Sequence, residues 1–80
     1  MHVTVEMHGD LKKYAKNAAG KVEIVVQDKA TVDDVVKKLA VDANEEWSAA
    51  IDGKLAYPED TLSEGAVLLL FPPIAGGSIL

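Results

Sequence analysis

The run Val67-Leu68-Leu69-Leu70-Phe71 constrains this chain more than any other segment: it is apolar at every position and halts at Pro72-Pro73. It has the length of a strand, and a strand that is apolar on both faces lies inside a sheet or under a partner. Beyond it the prolines hold a stiff extended backbone. Gly76-Gly77 then removes side-chain bulk, and only Ser78-Ile79-Leu80 follow. Residues 1–73 are therefore expected to form one domain, and residues 74–80 a flexible tail suited to insertion into another protein.

The rest of the chain supplies neighbours for that strand. Val3, Val5 and Met7 alternate with His2, Thr4, Glu6 and His8, the period of a strand over residues 2–8 with one buried face. After Gly9-Asp10 a short helical turn is expected at Leu11–Ala15, then a loop at 17–20. A second strand follows over about 21–27, where Val22, Ile24 and Val26 alternate. Thr31 with Asp34 reads as a helix N-cap with an acidic residue at N3, and Val32, Val35, Val36, Leu39 and Ala40 form one apolar stripe. Ala49–Ile51, Asp52-Gly53 and Lys54–Tyr57 read as a hairpin whose turn favours positive φ, ended by Pro58. Another turn at 60–65 leads into the last strand, 66–71.

The order strand, strand, helix, hairpin, strand is that of an α+β, β-grasp (ubiquitin-like) fold. One main helix packs on a mixed sheet, and the last strand lies parallel to the first.

Composition excludes several functions. Thirteen acidic residues against eight lysines give a net charge of −5, and there is no arginine, so the clustered cationic face of a nucleic-acid binder is missing. With no cysteine there is neither a disulfide framework nor a thiolate nucleophile or metal ligand. No apolar stretch approaches the roughly 20 residues of a membrane span, and the first residues lack signal-peptide character, so the expected compartment is the cytoplasm.

Candidate side-chain sites are weak. His2 and His8 share the outward face of the first strand but lie about 20 Å apart, too far to share an ion. Asp33-Asp34 and Glu45-Glu46 are explained by helix-end charge and solvation, and Trp47 by cover for the helix end. Leu69 and Phe71 are expected to point away from the helix, where Leu55 joins them. Exposed apolar clusters of this kind mark interfaces.

Three segments carry a family resemblance: Met7-His8-Gly9-Asp10-Leu11-Lys12-Lys13-Tyr14-Ala15, Thr31-Val32-Asp33-Asp34-Val35-Val36, and Leu62-Ser63-Glu64-Gly65 through Phe71-Pro72-Pro73-Ile74-Ala75-Gly76-Gly77. Together they resemble the small ubiquitin-like sulfur carriers, namely the small subunit of molybdopterin synthase (MoaD) and the thiamine-pathway carrier (ThiS). Phe-Pro-Pro and the first-loop Leu-Lys-Lys-Tyr-Ala resemble the molybdopterin branch, while Ile-Ala-Gly-Gly is shared with the thiamine branch. His8 and Ala66 depart from the family, which usually has an aromatic and an acidic residue there.

The resemblance implies that the Gly77 carboxylate, with Gly76 before it, is adenylated by an E1-like enzyme at the expense of ATP and then attacked by a persulfide to leave a thiocarboxylate. Ile74 to Gly77 extend about 13 Å at roughly 3.3 Å per residue, a reach suited to a narrow channel. The chain itself is then a carrier and not an enzyme, with no bound cofactor or metal. Its partners are the activating enzyme and the large subunit of molybdopterin synthase or another sulfur acceptor, in molybdenum or tungsten cofactor synthesis. Leu55, Leu69, Phe71, Pro72, Pro73, Ile74 and Ala75 match the family's partner-binding patch and tail.

Ser78-Ile79-Leu80 put an amide where the carboxylate is needed, so a protease is expected to cut after Gly77, the alternative being that the three residues are a cloning remnant. Three other functions fit the same tail: a thiamine-pathway sulfur carrier, a protein modifier joined through Gly77 to target lysines, and an interaction module whose tail is never cut.

Overall fold

Why one face of the first strand is buried and the other is not follows from its alternation. The computed structural model describes residues 1–73. In β1 (His2–Met7), Val3, Val5 and Met7 are almost wholly buried while His2, Thr4 and Glu6 are not. β2 (Lys21–Val25) pairs antiparallel to β1, and β5 (Ala66–Phe71) pairs parallel to it, from Val3 opposite Ala66 to Met7 opposite Leu70. β3 (Ser48–Ile51) runs antiparallel to β5 and carries β4 (Lys54–Ala56) on its outer edge. The sheet order is β2-β1-β5-β3-β4, so the all-apolar strand is the middle one. The expected mixed sheet with parallel first and last strands is what forms.

Helix α1 (Val32–Lys38) starts where its cap dictates. The Asp34 N–H donates to Thr31 Oγ1 at 3.2 Å, and the Thr31 N–H donates to Asp34 Oδ2 at 2.9 Å, satisfying two otherwise orphaned donors. Asp33 also pairs with Lys37 one turn on, at 3.0 Å. Thr31→Ala is expected to cost about 1 kcal/mol, read as a lower urea midpoint at unchanged slope.

Val32, Val35 and Val36 join Val3, Val5, Met7, Leu68 and Leu70 in one core. Each such side chain contributes roughly 1.5–3 kcal/mol on burial. Every buried residue among those described is apolar.

The structure departs from the sequence reading at several element ends. α1 stops at Lys38 with Leu39 as its C-cap, and Ala40, at φ +60°, is exposed rather than on the apolar stripe. The first strand ends at Met7 and the second at Val25. The turn after β1 is a 3-10 helix over Gly9–Tyr14. Tyr57 lies beyond β4, its N–H turned instead to Asp60 Oδ2 at 2.8 Å. The Asp52-Gly53 turn does have positive φ at both residues, 50° and 87°. Asp52 also locks the hairpin to β5: its N–H donates to the Val67 carbonyl at 2.9 Å, and its Oδ1 accepts from the Val67 N–H at 3.0 Å.

Candidate functional site

Strand register decides which apolar residues face away from α1. Ala50 stands opposite both Leu69 of β5 and Leu55 of β4, and Leu69 stands opposite Glu6 of β1, so these residues form one row across the sheet. Opposite strand partners share a face, and this row lies on the side away from Leu68, Leu70 and Val5. Phe71, opposite Ser48, continues the same face. Leu55 is 64% exposed and Tyr57 56%, while Leu69 and Phe71 are half-buried and Ala50 is covered beneath them. The expected grouping of Leu55, Leu69 and Phe71 on the sheet's open face is thus the geometry observed. Val67, opposite Thr4, extends it, and the exposed Tyr57 lines a groove together with Leu55.

The chain leaves this face at Pro72 and Pro73, both exposed. The His8 N–H donates to the Leu70 carbonyl at 3.0 Å, prolonging the parallel pairing past the end of β1. Next to it, a Cβ on Gly9 would stand 2.8 Å from Pro72 Cγ, and Gly9 has φ +60°. Glycine here lets the first loop press against the tail's root. Gly9→Ala is expected to destabilise the domain by about 1–3 kcal/mol and to displace Pro72, which chemical denaturation and proton NMR of the proline ring would show. Ile74, Ala75, Gly76 and Gly77, on which the carrier chemistry would turn, lie outside the described residues.

Beside the root lies a groove of about 590 Å³ lined by Trp47, Leu55, Tyr57, Pro58 and Pro73 together with Glu45 and Glu46. Trp47 packs on the core with part of its surface and lines the groove with the rest. Nothing in the local pattern marks this groove. It arises because the antiparallel pairing of β3 and β4 sets the residues before one strand beside those after the other.

Glu45 is no helix-end charge but a tie to the first loop. Its Oε1 accepts from Tyr14 Oη at 3.0 Å and lies 3.1 Å from Lys13 Nζ, while Tyr14 Oη also accepts the Asp42 N–H at 3.2 Å. The hydrogen bond from Lys13, then that from Tyr14, holds the Glu45 carboxyl below its ordinary pKa. Because the folded value is the lower one, the pair's stabilisation is present above the unfolded pKa and fades as pH falls through the folded value. The Tm of the wild-type chain is expected to fall more steeply on acidification from about pH 6 to pH 3 than that of Glu45→Gln, as calorimetry at several pH values would read.

His2 hydrogen-bonds to Glu64 at 3.2 Å. Among the described residues no three metal-ligating side chains of His, Asp or Glu converge. No helix of these residues is long and apolar enough to cross a membrane.

A five-stranded mixed sheet with a parallel central pair and one helix on one face is the ubiquitin-like β-grasp fold. The model described as the ThiS family matches residues 9–77, and the chain belongs to that family of ubiquitin-like sulfur carriers. Among solved structures it is similar to SAMP1 from Haloferax volcanii, at 23% identity and TM-score 0.76, covering 96% of this chain and 100% of that one. It is also similar to a putative molybdopterin converting factor, subunit 1, from Pyrococcus furiosus, at 19% identity and TM-score 0.78, covering 92% and 99%. A third match is to a complex of subunits 1 and 2 of molybdopterin-converting factor from Helicobacter pylori 26695, at 20% identity and TM-score 0.62, covering 96% and 100%. At these identities the likeness concerns the fold. No curated protein matches the chain.

Proposed function

We propose that the chain, once trimmed to Gly77, is a sulfur carrier that delivers sulfur to a pterin precursor in molybdenum or tungsten cofactor synthesis. The observation that carries this reading is the placement of the tail's root: the central strand β5 runs out at Phe71 on the open apolar face, so a protein that covers Leu55, Leu69 and Phe71 also receives whatever follows Pro73. Supporting it are the ThiS-family membership and the fold shared with a molybdopterin converting factor subunit.

The chemistry needs no side chain of this chain. The Gly77 carboxylate attacks the α-phosphorus of ATP and pyrophosphate leaves. A persulfide sulfur on a partner then attacks the acyl carbon and AMP leaves, and a thiol cleaves the sulfur–sulfur bond to release the thiocarboxylate and a disulfide. The catalytic groups, ATP and the persulfide belong to the partners, and the chain supplies the terminus, thin enough at Gly76-Gly77 to reach them. In the Helicobacter pylori complex subunit 1 is bound to subunit 2, and a large subunit of that kind is the proposed acceptor here.

The Ser78-Ile79-Leu80 extension is proposed to be removed by a protease. Incubating the chain ending at Gly77 with an activating enzyme, ATP and a persulfide donor, followed by mass spectrometry, is expected to show exchange of one oxygen for sulfur. Persistence of the unmodified mass with every cognate activator offered would refute the carrier reading.

A second reading rests on the similarity to a protein named small archaeal modifier protein 1 from Haloferax volcanii. Here the activated Gly77 carbonyl is taken by a lysine ε-amine of a target, forming an isopeptide bond. Tryptic peptides from host lysate with the tail's residues joined to foreign lysines would favour that reading over sulfur delivery.

A further inference from the structure

The groove beside the tail's root is not explained by the open sheet face. It draws on two of the chain's four aromatic residues, Trp47 and Tyr57, and two of its three prolines, Pro58 and Pro73. These join Leu55, and the exposed Glu46 is part of the lining; no lysine lines it. Glu45 is already committed to Lys13 and Tyr14, whereas no ion pair or hydrogen bond among the described residues engages the Glu46 carboxylate. An apolar trough with two aromatic residues and an uncompensated carboxylate in its lining suits one kind of occupant. That occupant has an aliphatic stem for Leu55 and the prolines, and a flat cation that can lie against an aromatic ring while facing a carboxylate. Among side chains that is arginine.

We infer that the Trp47–Tyr57 groove is a docking site for an arginine carried on the surface of the activating enzyme that receives the tail. Pro73 belongs both to the groove wall and to the tail's root, and Leu55 both to the groove and to the open face, so one partner surface reaches all three. The chain's charge of −5 is the complement of such a surface. The identity of the partner rests on the carrier reading; the groove's preference for arginine does not.

The test uses the full chain and acetyl-Leu-Arg-Leu-amide, with the citrulline peptide as the uncharged isostere. Trp47 is the sole tryptophan, so its indole N–H gives one resolved signal in a nitrogen–proton correlation spectrum. The arginine peptide is expected to move that signal saturably. Binding should be roughly threefold weaker or more for citrulline, and roughly twofold weaker or more in Glu46→Gln. An unmoved indole signal, equal affinity for the two peptides, or shifts confined to Val25 and β2 would each overturn the inference.

For the partner, Glu46→Lys in the chain ending at Gly77, which keeps every described residue, is expected to raise the KM of the activating enzyme for the carrier roughly fivefold with little change in kcat. An unchanged KM overturns the assignment to that enzyme. Because the peptide titration uses neither ATP nor enzyme, the groove can fail while thiocarboxylate still forms, and the reverse.

Discussion

Leu55→Asp, made in the chain ending at Gly77, is expected to lower kcat/KM for adenylation roughly 30-fold or more, the loss of one interface hot spot worth about 2 kcal/mol. Leu55 sits on the edge strand with 64% of its surface exposed, so nothing in the domain depends on it, and the Tm should stay close to wild type. A carboxylate there removes the apolar contact and would have to be desolvated whenever a partner covers the open face. Phe71→Asp is expected to lose activity at least as strongly. Phe71 is half-buried at the end of the central strand, so part of its effect can arise from the fold. The pair separates the two causes. If Phe71→Asp unfolds while Leu55→Asp stays folded and inactive, the contact face stands and Phe71 belongs partly to the core. Should Leu55→Asp be adenylated at the wild-type rate, the open face has no part in activation.

What was legible in the sequence is what local chemistry determines. The alternation in Val3, Val5 and Met7, the Thr31-Asp34 cap and the Asp52-Gly53 turn each state their structure within a few residues, and each formed as read. The central place of β5 was legible because apolar side chains on both faces leave a strand few alternatives. Leu55, Leu69 and Phe71 could be grouped because parity along two strands, together with the family resemblance, put them on one face.

The end of α1 was not legible. The apolar spacing runs on to Ala40, but the backbone there turns left-handed, and hydrophobic period carries no signal for that reversal. Nor were the Gly9–Pro72 contact and the Trp47–Tyr57 groove, since each joins residues that only strand register brings together. The tie made by Glu45 leaves no local sign in the sequence, because its partners, Lys13 and Tyr14, are some thirty positions upstream.

The same register predicts opposite outcomes for two neighbouring leucines. Leu68 stands opposite Val5 and Ile51 and is wholly buried, whereas Leu69, one position on, stands opposite Glu6 and Ala50 on the open face. Leu68→Ala removes side-chain volume from the centre of the core and is expected to cost about 2–5 kcal/mol. A domain of this size has roughly 4–12 kcal/mol in all. The Tm should therefore fall by roughly 10–30 °C, and at the upper end the chain is unfolded at physiological temperature. Leu69→Ala is expected to cost about half as much or less, since its side chain is only partly covered, yet to weaken partner binding in a way that Leu68→Ala, measured well below its own Tm, does not. Calorimetry on both variants, with adenylation assayed at low temperature, reads the two axes independently. Equal stability losses would mean that the open face is packed like the core, and the central strand would then serve the fold on both sides and leave Leu69 nothing to offer a partner.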